Sequence, residues 1–296
     1  MIAIRPRRSV LYMPGSNARA LEKARTLAAD TLILDLEDAV APEAKATARE
    51  QVCAAVAAGG YGPRELVIRI NTLDTPWGEG DLAAAAAAGP EAILVPKVSS
   101  PEALVAVGIR LRRLGAPDRT RVWAMIETPL AILRAESIAS AARDVDTRLA
   151  CLVMGTNDLA KETRARLVPG RAPMLPWLAT TLAAARAHEL DIVDGVYNAL
   201  ADEDGFWAEC EQARDLGFDG KTLIHPNQID AANAIFGPAP DDVERAKAII
   251  ALFERPENVS KGAVAMDGRM VERLHADMAL RTVAMADAIA ARRSAG

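Results

Sequence analysis

A chain of 296 residues, 51% of them apolar, is long enough to bury a large core and too apolar to stay disordered. Its net charge of −5 argues against nucleic acid or an anionic membrane as partner. Three widely spaced cysteines, Cys53, Cys151 and Cys210, form no CxxC pair and read as buried thiols of a reduced, cytoplasmic protein; no long apolar segment follows the basic amino terminus, so neither signal peptide nor membrane span is expected.

In chain order the dominant signal is the alternation of short apolar runs with helical patterns. Residues 9–13 (SVLYM) read as a strand, followed by a turn at Pro14-Gly15-Ser16 and a helix over 17–29. A second strand spans 31–36 and leads into Glu37-Asp38, and Pro42 opens a helix to about residue 57. Residues 66–70 (LVIRI) form the third strand, with Arg69 near its end; the alanine-rich stretch 81–88, closed by Gly89, is helical. Residues 92–95 are strand four, leading into Pro96-Lys97, and Ser100-Pro101-Glu102 starts the next helix with a good cap. Strand five, 122–126, stops abruptly on Glu127, and Thr128-Pro129 caps a helix over 130–141. The sixth run starts at residue 149, passes through Gly155-Thr156-Asn157 and ends at Asp158. A polar loop is expected over 161–173, a helix over 175–188 and strand seven over 192–197. A helix over 202–216 and strand eight over 221–224 follow, before His225-Pro226.

Eight apolar runs separated by about eight helical patterns predict an α/β fold, a parallel (β/α)8 TIM barrel over residues 1–237. An open doubly wound sheet is the rival, weakened because no GxGxxG follows the first strand. Beyond the barrel the pattern changes to a helix over 241–253, a loop over 254–269 and a final amphipathic helix over 270–291. This tail, residues 238–296, exceeds what barrel closure needs and is read as a C-terminal helical extension acting as lid or oligomer contact.

In such a barrel the carboxyl ends of the strands share one face, where chemistry is found. Asp35, Glu37, Asp38, Arg69, Lys97, Glu127 and Asp158 all fall there. A charge at the end of a buried strand is costly unless paired. Glu127 and Asp158, just past neighbouring strands, suggest a hard divalent cation between them; with only three histidines in the chain, oxygen ligands suit it. Caps or ion pairs are the alternative role for both residues. Arg69 either holds a substrate carboxylate bidentately or pairs with Glu37 or Asp38. Lys97 reads most simply as a snorkelling strand-end lysine, His225 as a hydrogen-bonded packing residue, and Asp267-Gly268 as a hairpin turn. A metal and an arginine together can polarise a 2-oxo acid, which suits making or breaking a carbon–carbon bond beside a carbonyl.

The motifs RSVLYMPGSN, LILDLEDAV, VIRINTLDTPWG, ILVPKV, MIETP, GTNDLAKE and GKTLIHPNQI occur in this order. With them the chain resembles the citrate lyase beta-subunit-like group of the HpcH/HpaI aldolase–citrate lyase superfamily, over about residues 8–236 and more weakly through the tail. Relatives in that group include malyl-CoA lyase, citramalyl-CoA lyase and malyl-CoA thioesterase. The resemblance implies magnesium as cofactor, a CoA ester and a 2-oxo acid as small-molecule partners, and a homo-oligomer, trimer or hexamer. It implies that Glu127 and Asp158 bind the metal, that Arg69 contacts the oxo acid, and that Glu37 and Asp38 lie around metal-bound water. Tyr12, Arg19 and Lys23 would help to hold coenzyme A, Lys97 would be a further substrate contact, and His225 and Pro226 would line the mouth. The family's acid/base is an aspartate in a G-x-M-I-D pattern of the tail, which acts on the neighbouring subunit's site. Here Gly268-Arg269-Met270-Val271-Glu272 puts Glu272, one methylene longer, in that place, with Asp267 as a possible stand-in. The activity expected is a magnesium-dependent CoA-ester lyase, cleaving a malyl-, methylmalyl- or citramalyl-CoA to a 2-oxo acid and an acyl-CoA. A (3S)-malyl-CoA thioesterase, and a citryl-carrier lyase subunit or non-catalytic paralogue, are the alternatives.

Overall fold

The apolar runs become eight short strands in the computed structural model, which describes residues 4–295. They are β1 (Ser9–Pro14), β2 (Thr31–Asp35), β3 (Glu65–Arg69), β4 (Ala92–Val95), β5 (Arg121–Ile126), β6 (Leu149–Met154), β7 (Asp191–Asp194) and β8 (Gly220–Leu223). Each runs parallel to its neighbours, and β8 pairs with β1, so the sheet closes into the expected (β/α)8 barrel. These strands are buried on both faces, which is why they read as runs without polar alternation. Side chains such as Val10, Ile33, Val67, Leu94, Trp123 and Val153 fill the barrel's interior. The alternate set, including Leu11, Leu32, Leu34, Ile68 and Ile93, forms a second core beneath the helices.

The N-terminal end of the barrel is closed by charge. Arg7 precedes β1, Glu65 opens β3 and Asp191 opens β7. Arg7 donates from Nε and Nη2 to both oxygens of Glu65, each at 2.8 Å, and from Nη1 to Asp191. Its guanidinium lies 4.9 Å from the Trp123 ring centroid, so the plug is packed as well as paired. Arg8 grips Asp30 in the same bidentate way, at 2.8 and 2.9 Å.

Several boundaries differ from the sequence expectation, each for a local reason. The helix expected over 17–29 is a six-residue helix, Ala18–Lys23, and a 3-10 turn, Ala24–Thr26, after which Leu27 turns extended. The helix expected over 130–141 is broken at Arg134, whose φ of −113° leaves the helical range. The sixth run ends at Met154, and Asp158 sits in the first turn of the helix Thr156–Thr163. The loop beyond it is pinned by Arg171, which donates to both oxygens of buried Asp194 at 2.6 and 2.8 Å. Asp194 also receives Lys221 Nζ at 2.7 Å, and Lys221 reaches Glu209 at the same distance.

Residues Arg7–Phe236 form one compact unit, and Gly237–Gly296 belong to a second. Within the second, the helix Pro240–Glu254 packs on the helix Arg273–Ala295. Between them lies an antiparallel hairpin, β9 (Ala263–Met266) and β10 (Arg269–Glu272), where a loop and the start of a helix were expected. Its turn residues Asp267 and Gly268 both have positive φ, 49° and 74°, the conformation a two-residue hairpin turn demands. Val271 of β10 joins Phe253 and Ala276 in a small core, with Val264 and Met266 against it, so alternation of period two overrides the helical reading. Among the described residues no helix is long and apolar enough to cross a membrane.

Candidate active site

At the carboxyl end of the barrel, register brings the first two charged groups together. Asp35 ends β2, Arg69 ends β3, and the two are directly paired across the strands. Arg69 donates Nε to Oδ1 at 2.7 Å and Nη2 to Oδ2 at 2.6 Å, a bidentate grip. Asp35 also accepts the backbone N–H groups of Glu37 and Ala39, at 2.9 and 3.0 Å. Those bonds fold the LEDAV segment back so that Glu37 Oε2 and Asp38 Oδ2 lie 2.9 and 3.2 Å from Arg69 Nη1. The Tyr12 ring covers the guanidinium, with its centroid 4.8 Å away.

Three residues not foreseen as part of the site clamp this turn from behind. Lys45 Nζ donates to the carbonyls of Leu36 and Glu37, at 2.9 and 2.7 Å, and to Asn71 Oδ1 at 2.8 Å. Asn71 in turn donates to Asp81 at 2.6 Å. The sequence holds faint signals for two of them. Lys45 puts a cation at a helix N-terminus, where the helix dipole disfavours it, and Asp81 is, with Glu79, one of two acids in an alanine-rich helix and the one that is fully buried.

Glu127 follows β5 and is only 1% exposed. Its Oε1 accepts the backbone N–H of Lys97 at 2.8 Å, while Oε2 is buried without a hydrogen-bond partner. Gly155 makes room for that oxygen: a Cβ there would stand 2.5 Å from Oε2 and 2.4 Å from the Glu127 Cβ. Lys97 Nζ lies 3.2 Å from Glu37 Oε1 and 3.9 Å from Asp158 Oδ2, so its ammonium is turned into the acidic cluster. The cluster thus joins Asp35, Glu37, Asp38, Glu127 and Asp158 through Arg69 and Lys97.

The electrostatics of these groups diverge. Burial pushes the Asp35 carboxyl up, but the Arg69 charge and the hydrogen bonds outweigh it and hold it below its ordinary value. Burial, reinforced by the Glu37 charge, pushes Glu127 up to about 8. Glu37 is raised too, by burial, against the pull of Arg69. Lys97 is raised: burial opposes its charge, but Glu37, Glu127 and Asp158 more than compensate. A buried carboxylate with one oxygen orphaned, in a surplus of negative charge, is the environment a small hard cation would relieve. The donor set therefore fits magnesium. Among the described residues no group of three or more His, Cys, Asp or Glu forms a ready-made metal cage, so water and substrate oxygens would have to complete the coordination.

Arg19 and Lys23 are exposed on the short helix after β1. His225 is exposed; its Nδ1 accepts the Asn227 N–H at 3.2 Å and caps the turn Pro226–Gln228. In the tail unit, Glu272 ends β10 and donates its backbone N–H to His275 Nδ1 at 2.9 Å.

Residues 8–226 match the model of the HpcH/HpaI aldolase/citrate lyase family. A (3S)-malyl-CoA thioesterase of Cereibacter sphaeroides (strain KD131) is 51% identical over 289 residues, 98% of each chain. The citrate lyase subunit beta of Escherichia coli (strain K12) is 33% identical, covering 90% of this chain and 89% of that protein. The crystal structure of protein CitE from Mycobacterium tuberculosis, in complex with magnesium, acetoacetate and coenzyme A, has a TM-score of 0.74 and 28% identity, covering 96% of this chain and 99% of that one. The carbon–carbon lyase expected from the sequence is corrected by these findings, because the thioesterases match far more strongly than the lyase subunits do. The motifs behind that expectation describe the barrel and its acidic mouth, and nothing in them separates bond cleavage beside a carbonyl from hydrolysis of the thioester.

Proposed function

The chain belongs to the HpcH/HpaI aldolase/citrate lyase family, and from that premise we propose that it is a thioesterase acting on a malyl-CoA-like 3-hydroxy-carboxyacyl-CoA. The observation that carries the reading is 51% identity along 98% of the chain to a (3S)-malyl-CoA thioesterase. In the reaction water adds to the thioester carbonyl, the carbon–sulfur bond breaks, and a carboxylate and free coenzyme A thiol leave. Glu127 and Asp158 are the residues we assign to a magnesium ion, which when bound would polarise substrate oxygens. The orphaned Glu127 Oε2 and the magnesium in the related CitE complex support that assignment.

Arg69 turns Nη1 away from its bidentate pair with Asp35, toward Glu37 and Asp38, and we assign it to a substrate oxygen; Asp35 holds the guanidinium in orientation. Glu37 and Asp38 would order water beside it, and Tyr12, Arg19, Lys23, His225 and Pro226 remain the proposed contacts to the CoA ester. Glu272 is the carboxylate we propose as the proton acceptor for the attacking water, on the likeness of its hairpin stretch to the family pattern alone. A cytoplasmic homo-oligomer completes the proposal. Incubation of the protein with malyl-CoA and magnesium tests it: free malate and coenzyme A are expected, and release of glyoxylate with acetyl-CoA would overturn it.

A further inference from the structure

Lys97 uses its backbone and its side chain for different tasks. The backbone N–H holds Glu127 Oε1 at 2.8 Å, and glycine could do that equally well. Yet a lysine occupies the position in a left-handed conformation, φ 51°, which favours glycine. Strain of this kind at a candidate site points to a use for the side chain. That side chain turns its ammonium toward Glu37 and Asp158, at 3.2 and 3.9 Å, while 36% of it stays exposed. The ammonium is therefore paired inside the cluster but close enough to water to move aside.

We propose that Lys97 is a tethered counter-cation of the acidic cluster, holding Glu37 and Asp158 in place and setting how tightly a divalent cation binds there. It is a positioning residue, and the inference rests on the assignment of Glu127 and Asp158 to magnesium. A like charge a few ångströms from a bound divalent ion repels it, so Lys97 keeps the site ordered at the expense of metal affinity. Partial exposure screens the repulsion, and roughly a tenfold effect on affinity is expected.

Calorimetric titration of the metal-free full chain with magnesium chloride tests this on the wild type, Lys97→Met, Lys97→Gly and Glu127→Gln. Both Lys97 variants are expected to bind magnesium about tenfold more tightly than the wild type, with the gap narrowing as potassium chloride is raised. In EDTA, Lys97→Met is expected to unfold at a lower temperature, because Glu37 and Asp158 lose their counter-charge. Lys97→Gly relieves the backbone strain while keeping the N–H, so it carries the titration if Lys97→Met folds poorly. Unchanged or weaker binding by the Lys97 variants, beside a wild type whose binding Glu127→Gln abolishes, overturns the role of Lys97 alone. A wild type that binds no magnesium overturns the metal assignment and this inference with it.

Discussion

At the N-terminal end of the barrel, Arg7 meets Glu65 and Asp191 over the face of Trp123. At the carboxyl end, Arg69 meets Asp35, Glu37 and Asp38 beneath the ring of Tyr12. The two ends look alike, each an arginine among carboxylates against an aromatic ring. They differ in what is left over. Arg7 draws the plug together, whereas beyond Arg69 the Glu127 Oε2 has no hydrogen-bond partner and the Glu127 carboxyl is pushed up to about 8 by burial and by Glu37. Buried charge that is matched supports the fold; buried charge that is not matched costs stability and reserves a place for a ligand.

Exchanging one carboxylate at each end should separate these roles most sharply. Glu127→Gln is expected to cut thioesterase turnover by about a thousandfold or more, the order seen when a group stabilising developing charge is lost, and to abolish magnesium binding. In EDTA the same variant should be as stable as the wild type or more so, since a buried carboxyl whose ionised form burial disfavours has gone. Glu65→Gln should do the reverse. It leaves Arg7 short of its partner and should cost about 3–5 kcal/mol in urea unfolding, with turnover per folded molecule little changed. If both variants lose stability alike, the two ends are equivalent and the contrast fails.

Gly155 offers a smaller perturbation confined to the carboxyl end. A Cβ at that position would press on Glu127 Oε2 from 2.5 Å, and displacing the carboxylate by about an ångström should reduce turnover on the order of 100-fold. The backbone at Gly155 has negative φ, so alanine brings no left-handed strain there, but its Cβ would also stand 2.4 Å from the Glu127 Cβ, which cannot rotate away, so the barrel should lose some melting temperature as well. A Gly155→Ala enzyme with wild-type magnesium affinity would show that Glu127 does not need that space.

Much of this contrast was legible in the sequence, and the rest was hidden for identifiable reasons. The strands could be read because a barrel strand is buried on both faces; the fourth, Ala92–Val95, matches its expected bounds. Glu127 and Asp158 could be read as strand-end acids, though Asp158 proves to sit in the first turn of a helix. The Asp35–Arg69 pairing could not, because it depends on the register between β2 and β3, which no local pattern states. Gly155 could be read only as a link between the sixth run and Asp158, because its approach to Glu127 depends on how β5 and β6 sit together. The tail's hairpin turn at Asp267-Gly268 was read, but its strands were missed, because they are four residues each and half-exposed, too short to outweigh the helical periodicity that follows. The choice between lyase and hydrolase was not legible in these residues, since the motifs quoted for the chain do not separate relatives named for the two activities.

The smallest expected effect concerns a third buried charge set, in the barrel wall, and tests whether matched charge behaves alike wherever it lies. Burial pushes Asp194 up, but Lys221 and Arg171 outweigh it and hold its carboxyl below the ordinary 3.8. A carboxyl depressed in the folded state adds stability above its unfolded value and gives it up as pH falls through the folded one. Wild-type stability should therefore keep a contribution from Asp194 at neutral pH and lose it progressively below about pH 4. Asp194→Asn should be less stable than the wild type at pH 7, and the gap should shrink as the solution is acidified. Urea midpoints across that range read the slope directly. A gap that stays constant would mean that the wall carboxylate contributes through packing and hydrogen bonds, with no share from its charge, and that matched charge in this barrel is not one kind of thing.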